Sequence, residues 1–289
     1  MQPKDILKHL TIRASIITVD PYSLEKTLTC GQFFRYQYVR EGAREDGFIV
    51  QAGNRVCGVR QIGSRELEVA LPPYSMDADF DYWVNFFNGE QRTKLLLNWM
   101  EQRDPWLKKA AISADGIRIL RQDAWEALIT FLISQNNSMI RIKSTVRLMC
   151  ERLGVRDEIG CYGFPTPEAI LYGELNGLGL GYRDGYLKRA AYQVANNTIN
   201  LEQLDAKHCL LNHALSRLQS MSGVGAKVAN CVALYGLGHM DAFPVDVWIK
   251  RALSRAKLTV EDAKQLKEDA GLLQQYMFYY ITHDGGALA

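Results

Sequence analysis

The sequence predicts an α+β fold, in which an N-terminal twisted antiparallel β-sheet is followed by a wholly helical part. Three observations carry this. Short β-branched and aromatic runs fill residues 15–71, apolar residues take up helical spacing from about residue 84, and the 289-residue length allows roughly two domains of ~150 residues. The boundary is expected near residue 110, giving a sheet domain over 1–110 and a helical domain over 111–289.

Strands are expected at 15–19, 33–39, 48–51, 55–62 and 65–71, each rich in Ile, Val, Phe or Tyr. Gly63-Ser64 and the stretch Glu41-Gly-Ala-Arg-Glu-Asp-Gly47 carry turn chemistry between them, and Pro72-Pro73 ends the sheet. Beyond it, Trp125, Leu128, Ile129, Leu132 and Ile133 form the stripe of an amphipathic helix. Leu211, Leu215 and Leu218 repeat that spacing, as do Val228, Val232 and Tyr235. Glycine-containing breaks at 153–164, 173–185, 222–225 and 236–238 cut the region into short helices without a fixed period, which argues against a solenoid.

Composition excludes several classes. A chain that is 47% hydrophobic, 23% charged and 10% aromatic is neither disordered nor collagen-like. No apolar run reaches the ~18 residues of a membrane span, and the opening Met1-Gln-Pro-Lys-Asp-Ile lacks the order of a signal peptide. A soluble intracellular protein with no membrane partner is the expectation. With 34 Lys and Arg against 32 Asp and Glu, any polyanion must be bound by local placement of charge. Cys30, Cys57, Cys150, Cys161, Cys209 and Cys231 show no metal-gripping spacing, so no metal centre is expected, and the thiols are expected to be reduced.

The chemistry concentrates around residue 220. A helix expected from Leu210 to Ser220 meets Met221-Ser-Gly-Val-Gly-Ala-Lys-Val-Ala-Asn-Cys231, which resumes helical spacing at once. This is a helix, a Gly-Val-Gly hairpin and a second helix, spanning about 210–236. Gly223 and Gly225 permit positive φ, and unpaired N–H groups of the second helix's first turn suit a phosphate. An ordinary glycine cap before an ordinary helix explains the same residues. A nucleotide loop does not, because the spacing and the Ser/Thr of a P-loop are missing. Lys227 falls in that first turn, where it opposes the helix dipole. The field there favours a neutral amine, the form a Schiff-base nucleophile needs, although a solvated surface lysine fits the pattern too. In Ala242-Phe-Pro-Val-Asp-Val-Trp-Ile-Lys250, Asp246 stands where a helix N-cap is preferred, a place from which its carboxylate also stabilises nearby positive charge.

Gly-Val-Gly-x-Lys with Pro-Val-Asp downstream resembles the helix-hairpin-helix DNA glycosylases that use a catalytic lysine. Leu28-Thr-Cys-Gly-Gln-Phe-Phe-Arg35, Ser134-Gln-Asn-Asn-Ser-Met-Ile-Arg141, Gly163-Phe-Pro165 and Gly179-Leu-Gly-Tyr-Arg183 are similar, in the same order, to segments of the eukaryotic-type 8-oxoguanine DNA glycosylases. The resemblance implies an N-terminal sheet packed on two helical lobes with the active site between them. It implies a bifunctional repair enzyme, intracellular and DNA-associated, that acts as a monomer on double-stranded DNA carrying 8-oxoguanine opposite cytosine, with no cofactor.

Residue by residue, the same resemblance makes Lys227 the nucleophile and Asp246 its electrostatic partner. Gly31, Cys231, Gln274 and Phe278 become readers of the extruded base. Asn136, Arg141, Tyr182 and Arg183 fill the vacated stack and hold the widowed cytosine. Gly223, Gly225 and Val228 hold phosphate through backbone N–H groups, and Trp248 stands where the family commonly has a phosphate-contacting histidine. Ile281 likewise stands where the family has an acidic residue. Two rivals remain: a glycosylase of the same superfamily for another oxidised or alkylated base, and a non-catalytic DNA-binding module.

Overall fold

The computed structural model describes residues 3–17, 21–40, 47–87 and 93–284. Within them the N-terminal part holds α1 (Pro3–Leu7), β1 (Thr11–Ile17), α2 (Leu24–Thr29), β2 (Tyr36–Val39), β3 (Gly47–Ala52), β4 (Arg55–Gln61), β5 (Glu66–Leu71) and α3 (Asp77–Phe87). The strands form an antiparallel sheet of order β1-β5-β4-β3-β2, with a register shift between Ile12 and Ala14. The expected strand ends at 18–19 and most of the expected 41–47 turn lie outside the described residues.

Alternation along β5 buries Leu67, Val69 and Leu71 against Trp83, Phe86 and Phe87 of α3. In β3 three successive residues are buried because both faces are covered: Phe48 and Val50 join the α3 side, while Ile49 meets Ile6 of α1, Val39 and Val56. Two features depart from the sequence reading. Phe33 and Phe34 are buried but lie in an irregular segment before β2. The short helix α2 was not expected; Ser23 caps it by accepting from the Lys26 N–H.

The helical part holds α4 (Thr93–Arg103), α5 (Pro105–Ala114), α6 (Ala124–Ser134), α7 (Met139–Leu153), α8 (Pro167–Tyr172), α9 (Arg183–Ala195), α10 (Leu211–Gln219), α11 (Ala226–Tyr235), α12 (Val247–Arg255), α13 (Val260–Lys264) and α14 (Ala270–His283). Packing sorts them into two groups. One joins α4, α5, α12, α13 and α14; the other joins α6 with α7, α9 and α11, with α8 on α9 and α10 on α11. Helix α6 is not amphipathic as its spacing suggested. It is buried from Glu126 to Ile133 on every side, because neighbours surround it. Among the described residues no helix is long and apolar enough to cross a membrane.

A buried ion pair joins the sheet to α6. Arg35 donates to Glu126 Oε2 at 3.1 Å and to Tyr162 O at 2.6 Å, while the Gly53 N–H also reaches Glu126 Oε2 at 2.8 Å. Burial raises the Glu126 carboxyl above its ordinary value, and the Arg35 guanidinium offsets only part of that rise.

Candidate active site

Both halves of the molecule converge on one cavity of about 610 Å³. Its walls include Gly31 after α2, Lys227 and Cys231 on α11, Asp246 at the head of α12, and Gln274 and Phe278 on α14. Residues separated by more than 240 positions are thereby brought together.

Gly31 has φ +86°, where an L side chain is strained, and an added Cβ would lie 3.2 Å from the Phe278 ring and 3.1 Å from Met139 Cε. The next residue anchors it. Gln32 is fully buried, donates to Arg118 O at 2.8 Å and accepts from Leu120 N–H at 2.8 Å. Gln275 adds a second anchor from α14 by donating to Cys30 O at 2.8 Å. Its neighbour Gln274 is buried, with Oε1 3.3 Å from the Tyr235 hydroxyl; that hydroxyl makes a shorter 2.6 Å bond to Gln275 Oε1. Phe278 is half-buried with its ring on the cavity, unlike Tyr276 and Met277, which are core.

Lys227 is the second residue of α11 and half-buried. Its Nζ donates to Ser134 Oγ at 3.3 Å and lies 5.2 Å from the centre of the Phe131 ring. Cys231 follows one turn later, fully buried. Burial pushes its thiol up, and the nearby Lys227 charge acts in the opposite direction. Asp246 is the N-cap of α12 and accepts from the N–H groups of Trp248 at 3.0 Å and Ile249 at 2.8 Å. Those two bonds fix the carboxylate on the cavity wall. Trp248 lines the cavity, and the Arg251 guanidinium lies 5.0 Å from its ring centre.

The hairpin has one constrained glycine. Gly223 has φ +88°, and a Cβ there would collide with the Tyr186 ring. Gly225 instead caps α11 with extended backbone, φ −82° and ψ 177°, facing open space. The first intrahelical bond of α11 runs from Ala229 N–H to Gly225 O. The N–H of Val228 thus belongs to the first turn that an α-helix leaves unpaired.

The four residues assigned to the vacated stack are not alike. Asn136 is exposed with φ 48° and donates to the Tyr182 hydroxyl at 3.2 Å. Arg141 is exposed in the first turn of α7, and Tyr182 is exposed beside Tyr186. Arg183 is buried, and its guanidinium is occupied by the backbone carbonyls of Gln135, Asn136 and Leu180. Here it shapes the turn that presents Asn136 and does not itself face outward. Ile281 is core, while Thr282 and His283 line the cavity.

Sequence reasoning did not assign Ser134, Phe131, Met139, Lys143 or Gln275. Ser134, Met139 and the span to Arg141 lay inside a quoted motif, but no spacing rule marks a helix-ending serine as a partner of a lysine 93 positions away. Among the described residues no cluster of His, Cys, Asp and Glu could hold a metal ion.

Residues 15–128 match the family model described as 8-oxoguanine DNA glycosylase, N-terminal domain, and residues 129–275 match HhH-GPD superfamily base excision DNA repair protein. An N-glycosylase/DNA lyase of Saccharomyces cerevisiae is 35% identical over 177 residues, covering 55% of this chain and 46% of that protein. The chain spans about half the length of the curated relatives it matches first. Among solved structures, MBOgg1 in complex with a low-affinity DNA ligand superposes with TM-score 0.83 at 29% identity, covering 96% of this chain and 99% of that one. The 8-oxoguanine glycosylase/lyase of Clostridium acetobutylicum, bound to double-stranded DNA with cytosine opposite 8-oxoguanine, gives 0.80 at 28%, covering 96% and 98%. With a matched domain model running over half its length and a second over the rest of its core, this chain belongs to the HhH-GPD superfamily of base excision DNA repair proteins.

Proposed function

We propose that the protein excises 8-oxoguanine from double-stranded DNA, preferentially opposite cytosine, and then cleaves the strand at the abasic site. The observation that carries this reading is the shared cavity. An amine, a fixed carboxylate, a thiol-and-phenyl pair and a side-chain-free backbone segment all face one space large enough to admit a nucleobase.

The reaction begins with extrusion of the damaged nucleotide, whose lost stacking costs least at a lesion. Asn136 and Tyr182 project from one exposed edge, joined by a hydrogen bond, and suit filling the gap. Arg141 beside them offers guanidinium donors to the unpaired cytosine. In the pocket the base lies between Cys231 and Phe278. At its edge the Gly31 carbonyl accepts the N7–H that 8-oxoguanine has and guanine lacks, so the wrong base sets lone pair against lone pair. Gln274 reads the opposite edge.

The Lys227 lone pair then forms a bond to C1′ as the C1′–N9 bond breaks and its electrons leave with the base. The positive charge that develops on the sugar is stabilised by Asp246, held ready by its two N–H bonds. The C1′–O4′ bond then breaks, O4′ takes a proton from water and a protonated Schiff base remains; loss of a 2′ proton to water breaks the C3′–O3′ bond and expels the 3′ phosphate. Backbone N–H groups at Gly223, Gly225 and Val228 supply sequence-independent phosphate affinity, in keeping with a net charge of only +2.

Borohydride trapping on a duplex with 8-oxoguanine opposite cytosine tests this. A covalent adduct that disappears in Lys227→Ala is the expected result. Binding without an adduct in the unaltered protein would identify a DNA-binding module, and trapping confined to another damaged base would identify a different substrate.

A further inference from the structure

Helix α6 ends at Ser134, and the two residues after it are clamped. Gln135 O and Asn136 O both accept from the buried Arg183 guanidinium. The seven residues before it are buried in the core. The Ser134 hydroxyl is therefore held from both sides. Its hydrogen is directed to Phe131 O at 2.8 Å. A hydroxyl has one hydrogen, so towards Lys227 Nζ, 3.3 Å away, it presents only a lone pair.

This direction matters for a nucleophile. A serine with a free hydrogen would donate it to a neutral amine and mask the electron pair needed for attack. A serine that can only accept takes one of the amine's N–H groups instead, and the pair points elsewhere. The Phe131 ring face lies against the same nitrogen at 5.2 Å and closes another direction. The open side is the cavity, which Lys227 and Asp246 both line.

We propose that Ser134 is a positioning residue for the nucleophile: its oxygen accepts an N–H from Lys227 and turns the amine's lone pair towards the cavity. This rests on reading Lys227 as the attacking group. Ser134 is also the residue through which the amine is tied to the turn bearing Asn136. The turn whose Asn136 enters the vacated stack and the amine that attacks the sugar are thereby linked at the end of α6 by one hydrogen bond.

The test is single-turnover borohydride trapping, with enzyme in excess over a duplex carrying 8-oxoguanine opposite cytosine. It is run on the unaltered protein and on Ser134→Ala, Ser134→Thr and Lys227→Gln. Ser134→Ala is expected to slow adduct formation about fivefold, the size of one lost hydrogen bond between neutral groups. Its affinity for a duplex containing a tetrahydrofuran abasic analogue and its Tm are expected to stay unchanged. That pattern is the signature of an interaction used in the transition state. Ser134→Thr keeps the acceptor and is expected to recover most of the rate. An unchanged rate in Ser134→Ala, while Lys227→Gln traps nothing, overturns this inference and leaves the nucleophile standing. Equal loss in the Ala and Thr variants, or loss of affinity or Tm in step with rate, marks a packing role and overturns it as well. Trapping that persists in Lys227→Gln overturns the underlying assignment itself.

Discussion

The Phe278 ring lies 3.2 Å from the point where Gly31 would carry a Cβ, so the two residues touch only because one of them has no side chain. Gly31 comes from the irregular link between α2 and β2 and Phe278 from α14, and the contact sets the width of the pocket they share.

Gly31→Ala is expected to reduce 8-oxoguanine excision by more than about 100-fold. The methyl group would push Phe278 and Met139 apart, and φ +86° would cost roughly 1–2 kcal/mol for an L residue. Single-turnover excision and thermal melting measure the two effects separately. Normal excision in a variant with lowered Tm would detach Gly31 from base recognition.

Asp246→Asn keeps an acceptor for the Trp248 and Ile249 N–H groups and removes the charge. Base release is expected to slow by about 100-fold or more, the usual size for a preorganised electrostatic group, at nearly unchanged stability. Asp246→Ala loses the cap as well and is expected to be less stable by about 1 kcal/mol. If Asn released base at the original rate, the carboxylate would be a helix cap and nothing more.

What could be read from the sequence is what is written in local spacing. Alternation in β5, the Gly-Val-Gly break and the N-cap at Asp246 are each decided within a few residues, and each is present in the fold. The rest depends on neighbours far along the chain. Phe33 and Phe34 have strand chemistry, yet Gln32 pins the preceding backbone to residues 118 and 120, and β2 starts only at Tyr36. Six residues from Leu24 to Thr29 are too few to show a helical period. Gly223 and Gly225 look alike in sequence, but only the first meets a ring, that of Tyr186 from α9. At the site, Gly31, Lys227, Cys231, Asp246, Gln274 and Phe278 were named from motifs and all line the cavity, whereas Ser134 and Met139, inside a motif, and Gln275, beside Gln274, needed the fold to be recognised.

Arg35→Met is expected to destabilise the protein by about 3–5 kcal/mol, because it would leave the Glu126 carboxylate buried without its cation. Adding Glu126→Leu removes the stranded charge, and the double variant is expected to recover a large part of the loss, though the Gly53 N–H would then lack its acceptor. Urea denaturation of the single and double variants gives the coupling. Additive effects would mean that the pair does not act as a unit.

Lys143 stands on α7 at the cavity wall, with its Nζ 3.5 Å from the centre of the Tyr36 ring. Desolvation pulls its pKa down to about 8, against ~10.4 for a free lysine. Between those two values the unfolded chain binds a proton that the folded chain does not, so this residue makes stability rise as the pH climbs from 8 towards 10. Below 8 both states are protonated and the cost of partly burying the ammonium is present in full. Lys143→Met removes that cost and is expected to raise Tm by about 1–2 °C at pH 7; the gain is small because the side chain is half-exposed and the ring face offsets part of the desolvation. The gain is expected to shrink to a small fraction by pH 10 and to vanish once the pH passes ~10.4, where the unfolded lysine is neutral too. Differential scanning calorimetry of both proteins at pH 7 and pH 10 checks this, and an equal Tm difference at the two pH values would show that the methionine acts through packing alone.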